Sequence, residues 1–86
     1  MKRGQIVLSK AGKEKGFFYV VTDTDGKYLY LADGKLRPLE KPKKKSMKHI
    51  QLTNSFIDEG ELETNKKIRK ALQKFADASI IGGRYV

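Results

Sequence analysis

Punctuation constrains this chain more than any other feature. Up to about Thr53, short apolar runs alternate with turn signals at close, regular spacing. That is an all-β pattern, because no run is long enough for a packed helix. Gln5-Ile6-Val7-Leu8 is a first strand. Phe17-Phe18-Tyr19-Val20-Val21-Thr22 is a second, with the aromatic and β-branched composition that suits a pleated, half-buried surface. Tyr28-Leu29-Tyr30-Leu31 alternates strictly and is a third. A polar, glycine-bounded loop over residues 10–16 joins the first two. Asp23-Thr24-Asp25-Gly26 and then Asp33-Gly34 read as turns, because Asp and Gly both tolerate positive φ. Residues 36–39 are expected to be extended, since Pro38 pushes Arg37 toward β or polyproline geometry. Lys41-Pro42-Lys43-Lys44-Lys45 is expected as a basic loop. Residues 46–52 form the last predicted strand, with Lys48, Ile50 and Leu52 on one face and Met47, His49 and Gln51 on the other.

About five short strands with tight connections predict a mainly β fold, a small barrel. The wholly apolar Ile6-Val7-Leu8 predicts strands covered on both faces. From Thr64 the period changes from two to 3.6: Ile68, Ala71, Leu72, Phe75 and Ala76 make one apolar stripe. The spacing predicts one C-terminal α-helix over 65–77, with Thr64 as N-cap and Glu61 and Glu63 upstream, where the helix dipole favours negative charge. A helix of about four turns is marginal alone in water, so its stripe must cover the barrel or a partner. The 86 residues make one domain at most: a barrel over 1–54 and a helical extension over 55–86, packed on or beside it. The glycine-containing end, residues 80–86, is expected to be loose.

Nineteen Lys and Arg stand against ten Asp and Glu, a net charge of +9. Compacting that excess is unfavourable unless a polyanion relieves it, and nucleic acid is the commonest one. The loop over 10–16 carries Lys10, Lys13 and Lys15 with Gly12 and Gly16. Glycines admit close backbone approach, and N–H groups beside ammonium groups suit phosphate oxygens. A second basic stretch is Lys41, Lys43, Lys44, Lys45 and Lys48, preceded by Lys35 and Arg37 and opposed only by Glu40. Either stretch can instead be solvated surface; side by side they would make one anion-binding face. Phe17, Phe18, Tyr19, Tyr28 and Tyr30 crowd two neighbouring strands and read mostly as barrel core; for base stacking, Phe17 or Tyr30 is the leading candidate. On the helix, Lys66, Lys67, Lys70 and Lys74 lie away from the stripe, either solvated or facing phosphate.

Catalysis finds little support. One His and no Cys exclude Cys–His chemistry, disulfides and multi-histidine or thiolate metal sites. His49 reads as a mid-strand structural or ligand-contacting residue. Asp58, Glu59, Glu61 and Glu63 match no cation-binding loop and read as a capping segment. No phosphate-loop or dinucleotide fingerprint occurs. A non-enzymatic protein without cofactor or metal is expected. No apolar segment follows Met1-Lys2-Arg3-Gly4 and no run approaches the roughly 18 residues of a membrane span, so a cytoplasmic protein with no membrane partner is expected.

Residues 4–21, a hydrophobic strand, a polar loop ending in Gly16 and a second hydrophobic strand, resemble a KOW motif. Phe17 and Phe18 stand where many such motifs carry a second glycine. Lys48-His49-Ile50-Gln51-Leu52-Thr53 resembles the closing strand of large-subunit ribosomal proteins of the fourteen-e type and their bacterial stand-alone relatives. Together the resemblance covers about residues 4–54. It implies an SH3-like barrel that binds RNA, with ribosomal RNA the foremost partner, as a monomer. The resemblance implies binding mostly through the loop that ends at Gly16 and nearby basic surface; with the basic stretches read above, the candidate RNA-binding residues are Lys10, Lys13, Lys15, Gly16, Phe17, Arg37, Lys41, Lys43, Lys44, Lys45, Lys48 and His49. Two alternatives stand beside it. One is an SH3-like protein-interaction module of the transcription or translation machinery, with ribosomal or transcription proteins as partners. The other is an architectural DNA binder.

Overall fold

Side chains alternate along a strand, so Ile6 and Val7 point to opposite faces of one sheet, and both are buried. That double burial organises the whole molecule. The computed structural model describes residues 2–10, 12–81 and 84–85. Strands β1 (Gln5–Ser9), β2 (Phe18–Thr24), β3 (Tyr28–Ala32), β4 (Lys43–Ser46) and β5 (Ile50–Phe56) form one antiparallel sheet in the order β4-β3-β2-β1-β5. Helix α1 (Asn65–Ser79) follows. The two-residue strands β6 (Ile80–Ile81) and β7 (Arg84–Tyr85) then pair as an antiparallel ribbon where a loose tail was expected. Residues 82, 83 and 86 of that tail lie outside the described residues.

Register explains the two faces. Ile6 lies opposite Val20, and Val20 opposite Ala32. This row packs with Leu62, Ile68 and Leu72 into one core. The helical stripe therefore covers the sheet, and Phe18 meets Phe75 edge-to-face at 5.1 Å between ring centroids. Replacing Phe75 with Ala should lower stability by about 2 kcal/mol, since the ring is half-buried. Chemical denaturation checks this; an unchanged midpoint would mean that α1 adds nothing to the fold.

The other face holds Val7, Tyr19, Val21, Leu29, Leu31 and Ile50. Here the sheet covers itself. Lys45 on β4 donates from Nζ to Ser9 Oγ on β1 at 2.6 Å, although β3 and β2 lie between them in the sheet. A 3₁₀ turn, Met47–His49, carries the chain from one sheet edge to the other, and Lys10 N–H donates to the His49 carbonyl at 2.9 Å. Five strands so curled, with a 3₁₀ link before the last, make a small SH3-like barrel.

Three expectations need correction. Residues 36–39 are not a strand. Asp33 Oδ1 accepts the N–H groups of Lys35 (2.9 Å) and Arg37 (2.8 Å), which offers the backbone a local turn in place of a ladder. The fourth strand is Lys43–Ser46, within the stretch expected as a basic loop. Its lysines are compatible with a ladder because it is an edge strand, where lysine also discourages pairing with other chains. The last strand begins only at Ile50, so His49 sits in the 3₁₀ turn rather than mid-strand, and Leu52 is exposed at the edge while Ile50 is buried. Between Gln5↔Phe56 and Val7↔Leu52 the register shifts. Buried Thr53 sits in that irregularity, its Oγ1 donating to the Ile6 carbonyl at 2.7 Å.

The acidic segment before α1 shapes the helix entry. Glu61 Oε1 accepts the Asp58 N–H (3.2 Å), Glu59 pairs with Arg3 (2.9 Å), and Glu63 lies 3.7 Å from Lys67. Thr64 Oγ1 accepts the Lys67 N–H at 3.1 Å as N-cap. No helix among the described residues is long and apolar enough to cross a membrane.

Candidate nucleic-acid interface

The loop between β1 and β2 is closed at its base by two hydrogen bonds. Ser9 N–H donates to the Phe17 carbonyl (3.0 Å), and Gly16 N–H to the Ser9 carbonyl (2.9 Å). That closure sets Gly16 at φ +90, which an L side chain rarely adopts. A Cβ at Gly16 would meet nothing within 4 Å, so the backbone there is open to an approaching molecule. A 3₁₀ turn, Gly12–Glu14, lifts Lys13 outward, and Lys10, Lys13 and Lys15 are all exposed.

The loop between β3 and β4 is built on Asp33, whose carboxylate is engaged by its own backbone as described. It presents Lys35 and Leu36 outward and leaves Arg37 half-buried. Three contacts hold it against α1. Arg69 Nη1 donates to the Gly34 carbonyl (3.3 Å), Leu39 N–H to Asn65 Oδ1 (2.8 Å), and Asn65 Nδ2 to Glu40 Oε1 (2.9 Å). Gly34 sits at φ +75, and a Cβ there would overlap the Asn65 carbonyl oxygen.

These two loops meet. Lys13 and Phe17 from one, with Leu36 and Arg37 from the other and Tyr19 behind, line a cavity of about 360 Å³. Beside it an open groove of about 1000 Å³ runs between Phe17, Leu36 and Lys35 on the loop side and Arg69, Lys70 and Gln73 on α1. Phe17 is 48% exposed and Leu36 69%, whereas Tyr19, two residues along, is barrel core. Of the two aromatics favoured for stacking, Phe17 stands at this groove; Tyr30 is half-buried on β3.

The remaining candidates do not form one continuous face. Lys48 and His49 are exposed in the 3₁₀ turn beside Lys10, joined through the Lys10–His49 hydrogen bond. Lys45 shares that end but is tied to Ser9. Lys43 pairs with Leu31 and Lys45 with Leu29, on the side of the inner core. Alternation sends Lys44 to the opposite side, where its Nζ lies 4.5 Å from the centre of the Tyr28 ring. Asp25 is close by. Its carboxyl is held below the ordinary aspartate range, first by the Tyr28 N–H (2.9 Å), with Lys27 N–H and the Lys44 charge adding. Lys41 is exposed in a turn closed by its N–H on the Pro38 carbonyl (3.0 Å).

The sequence did not single out Leu36 or Arg69, and it left Lys70 on a generic basic helix face. Leu36 carried one signal: a large apolar residue between Lys35 and Arg37, with no apolar neighbour to share a core. The Arg3–Glu59 ion pair lies before β1, at the opposite end of that strand from the lysine loop. Among the described residues, no three of His, Cys, Asp and Glu gather as a metal site would require. What the arrangement can do chemically is hold an anion: exposed ammonium and guanidinium groups, an open glycine backbone and an apolar wall stand together. In comparisons with known proteins, the chain matches no family model and no curated protein.

Proposed function

We propose that this chain is an RNA-binding protein that grips the RNA backbone through its lysine-bearing loops, with ribosomal RNA the foremost candidate. The observation that carries the reading is the β1–β2 loop. It offers three exposed lysines around an open, positive-φ glycine, and it stands next to Arg37 on one side and Lys48 and His49 on the other. Ammonium on phosphate positions without reading bases, so sequence preference from these residues is weak. The resemblance of residues 4–54 to KOW and fourteen-e type ribosomal proteins points the same way. In this reading the protein acts as a cytoplasmic monomer without cofactor, and it is not an enzyme.

Exposed Phe17 and Leu36 favour a second reading, an SH3-like module that docks a protein segment. One double substitution separates the two. Lys13→Gln with Lys15→Gln should weaken RNA binding about equally for unrelated sequences and lower the salt slope by about 1.4–1.8. Unchanged affinity and slope for RNA would remove the loop from RNA recognition and leave the docking module as the stronger reading.

A further inference from the structure

The groove between the barrel loops and α1 has a composition that phosphate binding alone does not require. Phe17 and Leu36 both expose apolar surface along its loop wall. Lys35, Arg69 and Lys70 rim it, and Lys13 and Arg37 flank the adjoining cavity. Asp33 is the carboxylate that lines it, and its Oδ1 already accepts two backbone N–H groups. An acidic peptide or a nucleic acid would satisfy the rim. An unstacked nucleotide alternates a flat apolar face with anions at short spacing, and so satisfies the cations and the apolar wall together.

We propose that this groove is a base-stacking subsite for single-stranded or bulged RNA: a base lies against the Phe17 ring beside Leu36, and the flanking phosphates reach Lys13 and Arg37 on one side and Lys35 and Lys70 on the other. This deepens the RNA-binding reading and rests on it. A regular duplex is excluded from the subsite because its bases are stacked on one another. Phe18, the neighbour in sequence, also lines the groove, but it is half-buried and packed edge-to-face with Phe75, so Phe17 presents the more exposed ring. The helix is thereby part of the binding surface as well as of the core. Arg69 couples the two roles: it holds the β3–β4 loop through the Gly34 carbonyl and also lines the groove.

The chain contains no Trp, so Phe17→Trp introduces a single indole at the proposed contact, which can be excited apart from the four Tyr. The full-length variant would be titrated with a mixed-sequence single-stranded RNA 12-mer, the same 12-mer as a duplex, inorganic polyphosphate, and poly-glutamate. Stacking predicts quenching by the single strand, and none by polyphosphate or duplex even where they bind. In the otherwise native chain, Phe17→Leu, which keeps the apolar bulk but loses the ring, should bind the single strand about 5- to 150-fold more weakly. Phe17→Tyr should restore it. Three results would overturn the proposal. Single-strand affinity unchanged in Phe17→Leu, with no quenching in Phe17→Trp, would remove the stacking subsite while the lysine loops still bind RNA. Equal quenching by poly-glutamate would assign the groove to acidic peptides. Failure of the native chain to bind any of the RNAs would overturn the RNA-binding reading itself.

Discussion

RNA affinity should fall roughly a thousandfold when salt is raised from about 50 to about 200 mM. The reasoning starts from the exposed cations at one end of the barrel: Lys10, Lys13, Lys15, Lys35 and Lys48, with half-buried Arg37. Each phosphate contact releases counterions and contributes about 0.7 to 0.9 to the logarithmic salt slope. Six contacts give a slope of about 4.2 to 5.4, so a fourfold change in salt costs about 300- to 1800-fold. Lys44, across the strand and over Tyr28, is not in this set and should leave the slope unchanged when neutralised. Fluorescence polarisation with a labelled RNA, repeated across salt concentrations, measures the slope directly. A slope near zero would mean that the basic loops do not meet phosphate, and the proposed function would fall with it.

The second large effect concerns two glycines that look alike in sequence. Gly34→Ala should cost about 3–4 kcal/mol, whereas Gly16→Ala should cost only about 1–2 kcal/mol. Both positions have positive φ, +75 and +90, so both substitutions strain the backbone. They differ in surroundings. At Gly16 an added methyl meets open space; at Gly34 it meets the Asn65 carbonyl and, at 3.2 Å, the Arg69 amide. Backbone of a packed helix cannot yield as a side chain does. The β3–β4 loop would have to leave α1, losing the Arg69, Asn65 and Glu40 contacts together. Urea denaturation of the two variants checks the difference. Equal losses would mean that the clamp between loop and helix is weaker than the contacts imply.

Much of the fold was legible because hydrophobic periodicity reports burial. Ile6-Val7-Leu8 announced a sheet covered on both faces, and the Ile68–Ala76 stripe a helix that must cover the barrel or a partner; the structure places it on the barrel. The basic stretch was misread because lysine has a poor strand propensity in general, yet an edge strand needs only backbone pairing and one buried side. Lys43 and Lys45 meet that need opposite Leu31 and Leu29. The turn at Asp33 was located, but its reach to Arg37 was not, because Pro38 pointed to an extended segment while one carboxylate oxygen captured two amides. The candidate site was half legible. Lysine loops are visible in one dimension, and the meeting of Phe17 with Leu36 and Arg69 is not. That meeting depends on how far the helix lies across the sheet.

A groove with one wall of loop and one of helix is also a seam. Its loop wall hangs from the barrel strands; its other wall is the flank of the helix, where exposed Arg69, Lys70 and Gln73 border Leu72 of the core. Whatever settles in the seam touches both pieces and fastens them together, by an amount that grows with its concentration relative to its Kd. Recognition and architectural integrity are then one equilibrium, and the chain is most firmly assembled when it is occupied.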